Sequence, residues 1–354
     1  MLGRLLDVIR DKAQKNKIVR RLFDITVDIA ISRSSIVRKL LEAKESRRHL
    51  VSVINNIDKL VRLYTLLADN YSQQTLTAIL KFRVLGQQHA KLPLNSERYW
   101  ANYSYIDKYL IERRSLKPWK LNCWLNRYKI PGDSGPIQLH CLPLNILQGF
   151  ILEQYAYKKG DRVIQVRPGD IVIDAGSCWG DSTLYFADKV GIAGRVYSFE
   201  FAPENLQIFY NNINLNPQLA ERIEVVSKAL WNNSGGMLPY YYYGPATSIL
   251  DTKPLGKLLV STVTIDDFVK AEGIARIDFI KMDIEGSELR ALQGAEETIR
   301  RFRPRLAISV YHRPDDLFVI PEYLDNLGLH YELLMDHFST NAWETVVYAG
   351  CKDG

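Results

Sequence analysis

Between Val53 and Ala68 the apolar residues fall on one stripe: Val53, Ile54, Ile57, Leu60, Val61, Tyr64, Leu67 and Ala68. Spacings of three and four mark an amphipathic helix, and residues 2–70 read as helical by the same period. A second helix is predicted from Ser72, a good N-cap, to Gly86, a good C-cap. From 87 to 136 the text turns loop-rich and aromatic and closes on the turn cluster PGDSGP. That cluster, Gly132 to Pro136, is the expected boundary between a helical N-terminal region, 1–135, and a second domain, 136–354.

After about residue 160 the period changes. IVIDAG (171–176) reads as a buried strand followed by a helix to about Val190, and RVYSFE (195–200) leads into a helix from Pro203 to about Asn214. IEVVSKAL (223–230) is the third strand, and MLPYYYYGPATSIL reads as an extended insertion after it. STVTIDDFVKAEG is a strand and a short helix. IDFIKMDIEG (277–286) is a strand, and its helix carries Leu289, Leu292, Ala295, Ile299 and Phe302 before Pro304. RLAISVYH, HYELLMDHF and ETVVYAG complete the series. Strands alternating with helices predict a parallel sheet covered on both faces. The last two strands are joined by too few residues for a parallel crossover and should form an antiparallel hairpin. The expected fold is therefore α/β: a Rossmann-like, seven-stranded, mostly parallel sheet with a C-terminal antiparallel hairpin, the layout of class I methyltransferases.

Charge narrows the partner. The net charge of +6 sits at one end: residues 1–50 hold 13 of the 46 Lys and Arg and 6 of the 40 Asp and Glu. The remainder is close to neutral, which argues against a nucleic-acid substrate. The basic arm suits a peripheral contact with an anionic membrane surface, or simply a solvated helix face. No run is long and apolar enough to span a bilayer. The opening MLGRLLDVIRDKAQ has no secretory pattern, and four scattered cysteines lack metal spacing, so a cytoplasmic setting with free thiols is expected.

In doubly wound sheets ligands sit beyond the carboxyl ends of the strands. The first strand ends in Asp174, Gly176, Ser177, Cys178, Trp179, Gly180 and Asp181. The glycines let the backbone turn and approach a ligand, but their G-x-x-x-G spacing is not the dinucleotide pattern. Asp174 would repel a pyrophosphate and welcome a cation, and S-adenosylmethionine is cationic and carries no phosphate. Glu200, with Phe201 beside it, stands where an acid can accept ribose hydroxyls, and Ala229 would lie along the adenine. Asp283, Glu285 and His312 end neighbouring strands and supply candidates for the base that an alcohol acceptor needs. His312 or Asp283 is the expected base, with Glu285 holding an acceptor hydroxyl. Asp283 and Glu285 could also hold a divalent metal, but without a third clear ligand none is predicted. Glu288 reads as a first-turn helix charge. The run Tyr240–Tyr243 should bury two rings and expose two, as an edge strand or as an aromatic wall for a sugar.

The stretches VIDAGSCWGD, YSFEFAPENLQIFYNNINLN and TIDDF, and above all FIKMDIEGSELRALQGA, resemble the FkbM-type methyltransferases over roughly residues 150–350. The resemblance implies a class I fold that binds S-adenosylmethionine and methylates oxygen on sugars, glycolipids or glycosylated natural products. It departs from the family at Cys178, where many members have Asn, and at the bulky Trp179. The partners expected are a small-molecule or glycan acceptor and a second copy of the chain as a homodimer. A nicotinamide-dependent oxidoreductase and a non-catalytic protein on a degenerate methyltransferase fold are the alternatives.

Overall fold

The computed structural model describes residues 51–53, 55–118, 121, 123–249 and 258–351. The basic arm, residues 1–50, lies outside them. The described chain forms two compact units, 51–96 with 333–345 and 97–332 with 346–351. The division therefore falls between Ser96 and Glu97, not in the Gly132–Pro136 turn.

In the first unit, helices α1 (Ile57–Leu66) and α2 (Asn70–Leu85) bury the stripe of Ile57, Leu60 and Leu63 and a wider set on α2. The cap of α2 is Asp69, whose side chain accepts the Ser72 amide at 2.7 Å. Ser72, expected as the cap, lies inside the helix, and its hydroxyl accepts the Met335 amide.

The second unit opens with a helix, α3 (Glu97–Tyr105). A three-stranded antiparallel sheet follows, made of β1 (Ile111–Leu116), β2 (Leu125–Ile130) and β3 (Ile137–Cys141). This sheet replaces the loop and helical character expected for 87–136. Its short strands carry polar residues between apolar ones and hide among aromatic loop signals. A small hairpin, β4 (Tyr157–Lys159) and β5 (Arg162–Ile164), leads into the main series.

That series begins with β6 (Ile171–Ala175), α4 (Asp181–Val190), β7 (Arg195–Phe199), α5 (Pro203–Asn214) and β8 (Ile223–Val226). The expected third strand breaks after Val226, and Ala229–Leu230 (β9) joins another sheet. The insertion forms β10 (Met237–Tyr241) and β11 (Ser248–Ile249), which with β12 (Leu259–Val263) and β9 make a four-stranded sheet in the order β11-β10-β12-β9. Tyr240 and Tyr242 are buried and Tyr241 and Tyr243 exposed, as a strand alternates, but β10 is interior to its sheet, not an edge. Next come α6 (Ile265–Ala271), β13 (Phe279–Met282), α7 (Glu288–Gln293), α8 (Glu296–Phe302), β14 (Arg305–Ser309), α9 (Asp316–Asn326), β15 (Glu332–His337) and β16 (Thr345–Gly350).

The seven-stranded sheet runs β15-β16-β14-β13-β6-β7-β8. Strands β14, β13, β6, β7 and β8 pair in parallel, and β16 is antiparallel to β14. The chain steps outward from β6 to β7 and β8, then returns to its other side at β13. That reversal opens a crevice beyond the carboxyl ends of β6 and β13.

Candidate active site

The turn after β6 is shaped by contact with the end of β13. Gly176 has φ +82°, and a Cβ there would lie 1.9 Å from the Asp283 carbonyl oxygen, so only glycine fits. Gly180, at φ +85°, would drive a Cβ to 2.3 Å from the Phe209 ring. Between them Cys178 adopts φ +47°, a left-handed conformation unusual for its type. Burial, then nearby Glu200 and Asp181, push its thiol well above the usual range, so it is not a thiolate nucleophile.

Asp174 does not face the crevice. Its side chain is sealed from water, 3.0 Å from the Lys281 ammonium, and Oδ2 accepts the hydroxyls of Ser182 at 2.8 Å and Thr183 at 2.6 Å. The carboxylate expected to meet a cationic cofactor has a lysine instead, because Lys281 is its register partner on β13. Lys281 also donates to the carbonyls of Ala175 and Gly176, at 3.1 and 2.7 Å, and so holds the glycine turn. Ser177, buried, donates to the Asp174 carbonyl at 3.1 Å. Asp181, at the first position of α4, accepts from Asn145 at 3.1 Å, and burial raises its pKa to about 6. These three shape the turn from beneath the crevice.

The crevice is an open, shallow cleft at the ends of β6, β7 and β13. Gly176, Cys178, Glu200, Phe201, Ala229, Asp283 and Glu285, all expected at the site, reach its wall, joined by Asn205, Lys228, Leu230 and Ile249. Glu200 Oε1 accepts the amides of Phe201 and Ala202, each at 2.7 Å, and Oε2 accepts from Asn205 at 3.1 Å. Burial nevertheless raises its pKa to about 7. The Oδ1 of Asn205 is buried without a partner.

At the ends of β13 and β14 the structure brings the expected Asp283, Glu285 and His312 together. His312 Nε2 lies 3.4 Å from Asp283 Oδ1 and 3.4 Å from Glu285 Oε1. Its Nδ1 lies 2.9 Å from Glu288 Oε1. Burial alone would strip the imidazole of its proton, but Glu288, Glu285 and Asp283 outweigh it and push the pKa up to about 12. An imidazolium cannot accept a proton, so His312 is not the base in this state. Glu285 sits at φ +56°, a strained conformation, and burial lifts its carboxyl above the usual range despite His312.

Several partners were not foreseen. Tyr155 donates to Asp283 Oδ2 at 2.9 Å and Tyr311 to Oδ1 at 3.1 Å. Glu288, read as a helix charge, is fully buried and accepts the Ile284 amide at 2.8 Å. Lys281 had a signal: a lysine inside an otherwise apolar strand needs a buried counter-charge. Asn205 and Glu288 sit in the first turns of their helices, where polar residues are commonplace, and Tyr155 had no signal.

Residues 173–333 match the methyltransferase FkbM domain. The matched stretch holds every strand-end residue named above, while Asn145 and Tyr155 precede it. A methyltransferase FkbM from Methylobacillus flagellatus KT superposes with a TM-score of 0.53 at 24% identity, over 84% of this chain and 60% of that one. The present chain therefore spans less than two thirds of that relative's length, and the likeness establishes the fold. More distant are fibrillarin from Aeropyrum pernix with bound S-adenosylmethionine (12% identity, TM-score 0.36, 67% and 99% of the chains). An O-methyltransferase from Bacillus cereus with bound S-adenosylhomocysteine is similarly remote (16%, 0.35, 59% and 80%). No curated protein matches the chain significantly.

Proposed function

We propose that the chain is an S-adenosylmethionine-dependent O-methyltransferase acting on a hydroxyl of a sugar, glycolipid or glycosylated natural product. The observation that carries the reading is an acidic cleft, walled by Glu200, Asp283 and Glu285, at the sheet's reversal point inside an FkbM domain. The residues fit an adenosyl sulfonium. Glu200 and the unpartnered Asn205 Oδ1 offer acceptors to ribose hydroxyls, Phe201, Leu230 and Ile249 offer apolar faces to an adenine, and the carboxylates suit positive charge. When bound, S-adenosylmethionine supplies an activated methyl group.

The chain's own groups then position and deprotonate the acceptor. Glu285, raised by burial and exposed enough to be reached, takes the hydroxyl proton. Asp283, fixed by Tyr155 and Tyr311, orients the hydroxyl, and the His312 imidazolium balances both carboxylates. Holding donor and acceptor in line contributes on the order of 7–11 kcal/mol. The exposed Tyr241 and Tyr243 rings, stacked 6.4 Å apart on the strand and loop leading to the cleft, suit a saccharide face. Contact with a membrane through the basic arm and pairing with a second copy remain part of the proposal. Among the described residues no helix is long and apolar enough to cross a bilayer.

Calorimetric titration with S-adenosylmethionine, S-adenosylhomocysteine and NAD tests the reading. Micromolar binding of both adenosyl compounds, weakened in Glu200→Ala, is expected. A preference for NAD would overturn it in favour of the oxidoreductase.

A further inference from the structure

We propose that Asp283, Glu288 and His312 form a binding site for one small divalent cation of the manganese class, at the acceptor end of the cleft. The three residues come from fixed places in the fold. Asp283 directly follows β13, Glu288 opens the helix after it, and His312 lies just beyond β14, which pairs in parallel with β13. One donor atom from each lies within 4.8 Å of the others. An ion with bonds of about 2.0–2.2 Å spreads its ligands over about 3–4.4 Å, so side-chain shifts of tenths of an ångström close the site.

The arrangement also leaves a polar atom unanswered. His312 is held by carboxylates alone, Glu288 on one ring nitrogen and Asp283 and Glu285 on the other, while Glu288 Oε2 makes no hydrogen bond. The Glu288 side chain is 0% exposed, too buried for bulk water to answer it. A sealed carboxylate oxygen without a partner, beside an imidazole ringed by acids, marks a place where a cation displaces the His312 proton and binds the neutral ring. Three carboxylates (Asp283, Glu285 and Glu288) surround this single imidazole. A divalent cation offsets that concentration of negative charge. One imidazole with two carboxylates suits manganese, iron or zinc better than calcium, which takes oxygen donors. Asp283 also lines the cleft, so an ion there has a path from solvent. Its role rests on the methyltransferase reading: a cation beside the acceptor lowers the pKa of the hydroxyl it touches. Its existence does not.

The test uses the full chain stripped with chelator and titrated with MnCl2, following free Mn2+ by electron paramagnetic resonance. One ion per chain is expected, with 14N coupling from an imidazole in pulsed spectra. Glu288→Gln and His312→Ala should each weaken binding at least tenfold while thermal melts show a folded protein. Should either variant fail to fold, the 14N coupling of the wild type decides alone. No bound ion, an ion without 14N coupling, or binding unchanged in a folded variant would overturn the site. A parallel titration with S-adenosylhomocysteine separates the two readings. Cofactor binding without Mn2+ sinks only the cation site, and Mn2+ binding without the cofactor sinks only the methyltransferase reading.

Discussion

Lys281 and Asp174 are register partners on adjacent parallel strands, and their charged groups meet 3.0 Å apart with 2% and 0% of their side chains exposed. The pair ties β13 to β6 at the level where both strands end in the site. Burial would lower the lysine's pKa, yet Asp174, then Asp283 and Asp181, hold it above its usual value, so the ammonium stays charged. Removing one charge leaves the other buried and uncompensated.

Asp174→Asn should therefore destabilise the protein by about 3–5 kcal/mol in urea unfolding. The double variant Asp174→Leu/Lys281→Met should recover most of that loss, because the desolvation of both charges disappears with them. A single variant as stable as wild type would show that the pair is not the clamp described.

At the turn itself, Gly176→Ala places a methyl group inside the Asp283 carbonyl and forces a left-handed conformation on alanine. The backbone strain alone is worth about 1–3 kcal/mol. A lowered melting temperature and S-adenosylhomocysteine affinity reduced at least tenfold are expected. Unchanged affinity would detach the turn from cofactor binding.

Glu200 makes a prediction about pH. Its folded pKa, about 7, is raised by burial above the ordinary 4.5. Its contribution to stability is thus complete below 4.5 and lost as pH rises towards 7, since the unfolded chain ionises first. That loss amounts to roughly 3 kcal/mol. Unfolding free energies of wild type and Glu200→Gln, measured from pH 4.5 to 8, should diverge by about this amount, with the variant gaining relative to wild type. A pH-independent difference would contradict the shift.

Glu285→Gln should lower the methyl-transfer rate by about 10²–10⁴-fold, the usual worth of a general base. Its affinity for S-adenosylhomocysteine should stay within twofold of wild type, since the carboxylate acts on the acceptor. A comparable loss in both quantities would reassign Glu285 to cofactor binding.

Much of the architecture was readable in the chain. Local pattern suffices where a segment is buried on both faces or strongly periodic, as in Ile171–Ala175 and the helix Pro203–Asn214, whose first position is a proline. The glycine turn and the DIEG stretch were readable as well, because close backbone approach and clustered carboxylates leave marks in composition. The sheet at 111–141 was not, since its short strands mix polar and apolar residues and gain their order from pairing. Nor could the break after Val226 be seen, where one apolar run serves two sheets.

Charge assignments divide along the same line. From the sequence alone came the set of acids at the strand ends and the expectation that a cation is their ligand. Tertiary structure decided which acid meets which cation: Asp174 turns to Lys281 across the register, while Glu288 and His312, distant in sequence, close on each other. Position along a strand is set by local pattern, but a buried charge takes the partner that strand register and helix packing bring within 3 or 4 Å. No single segment encodes that distance.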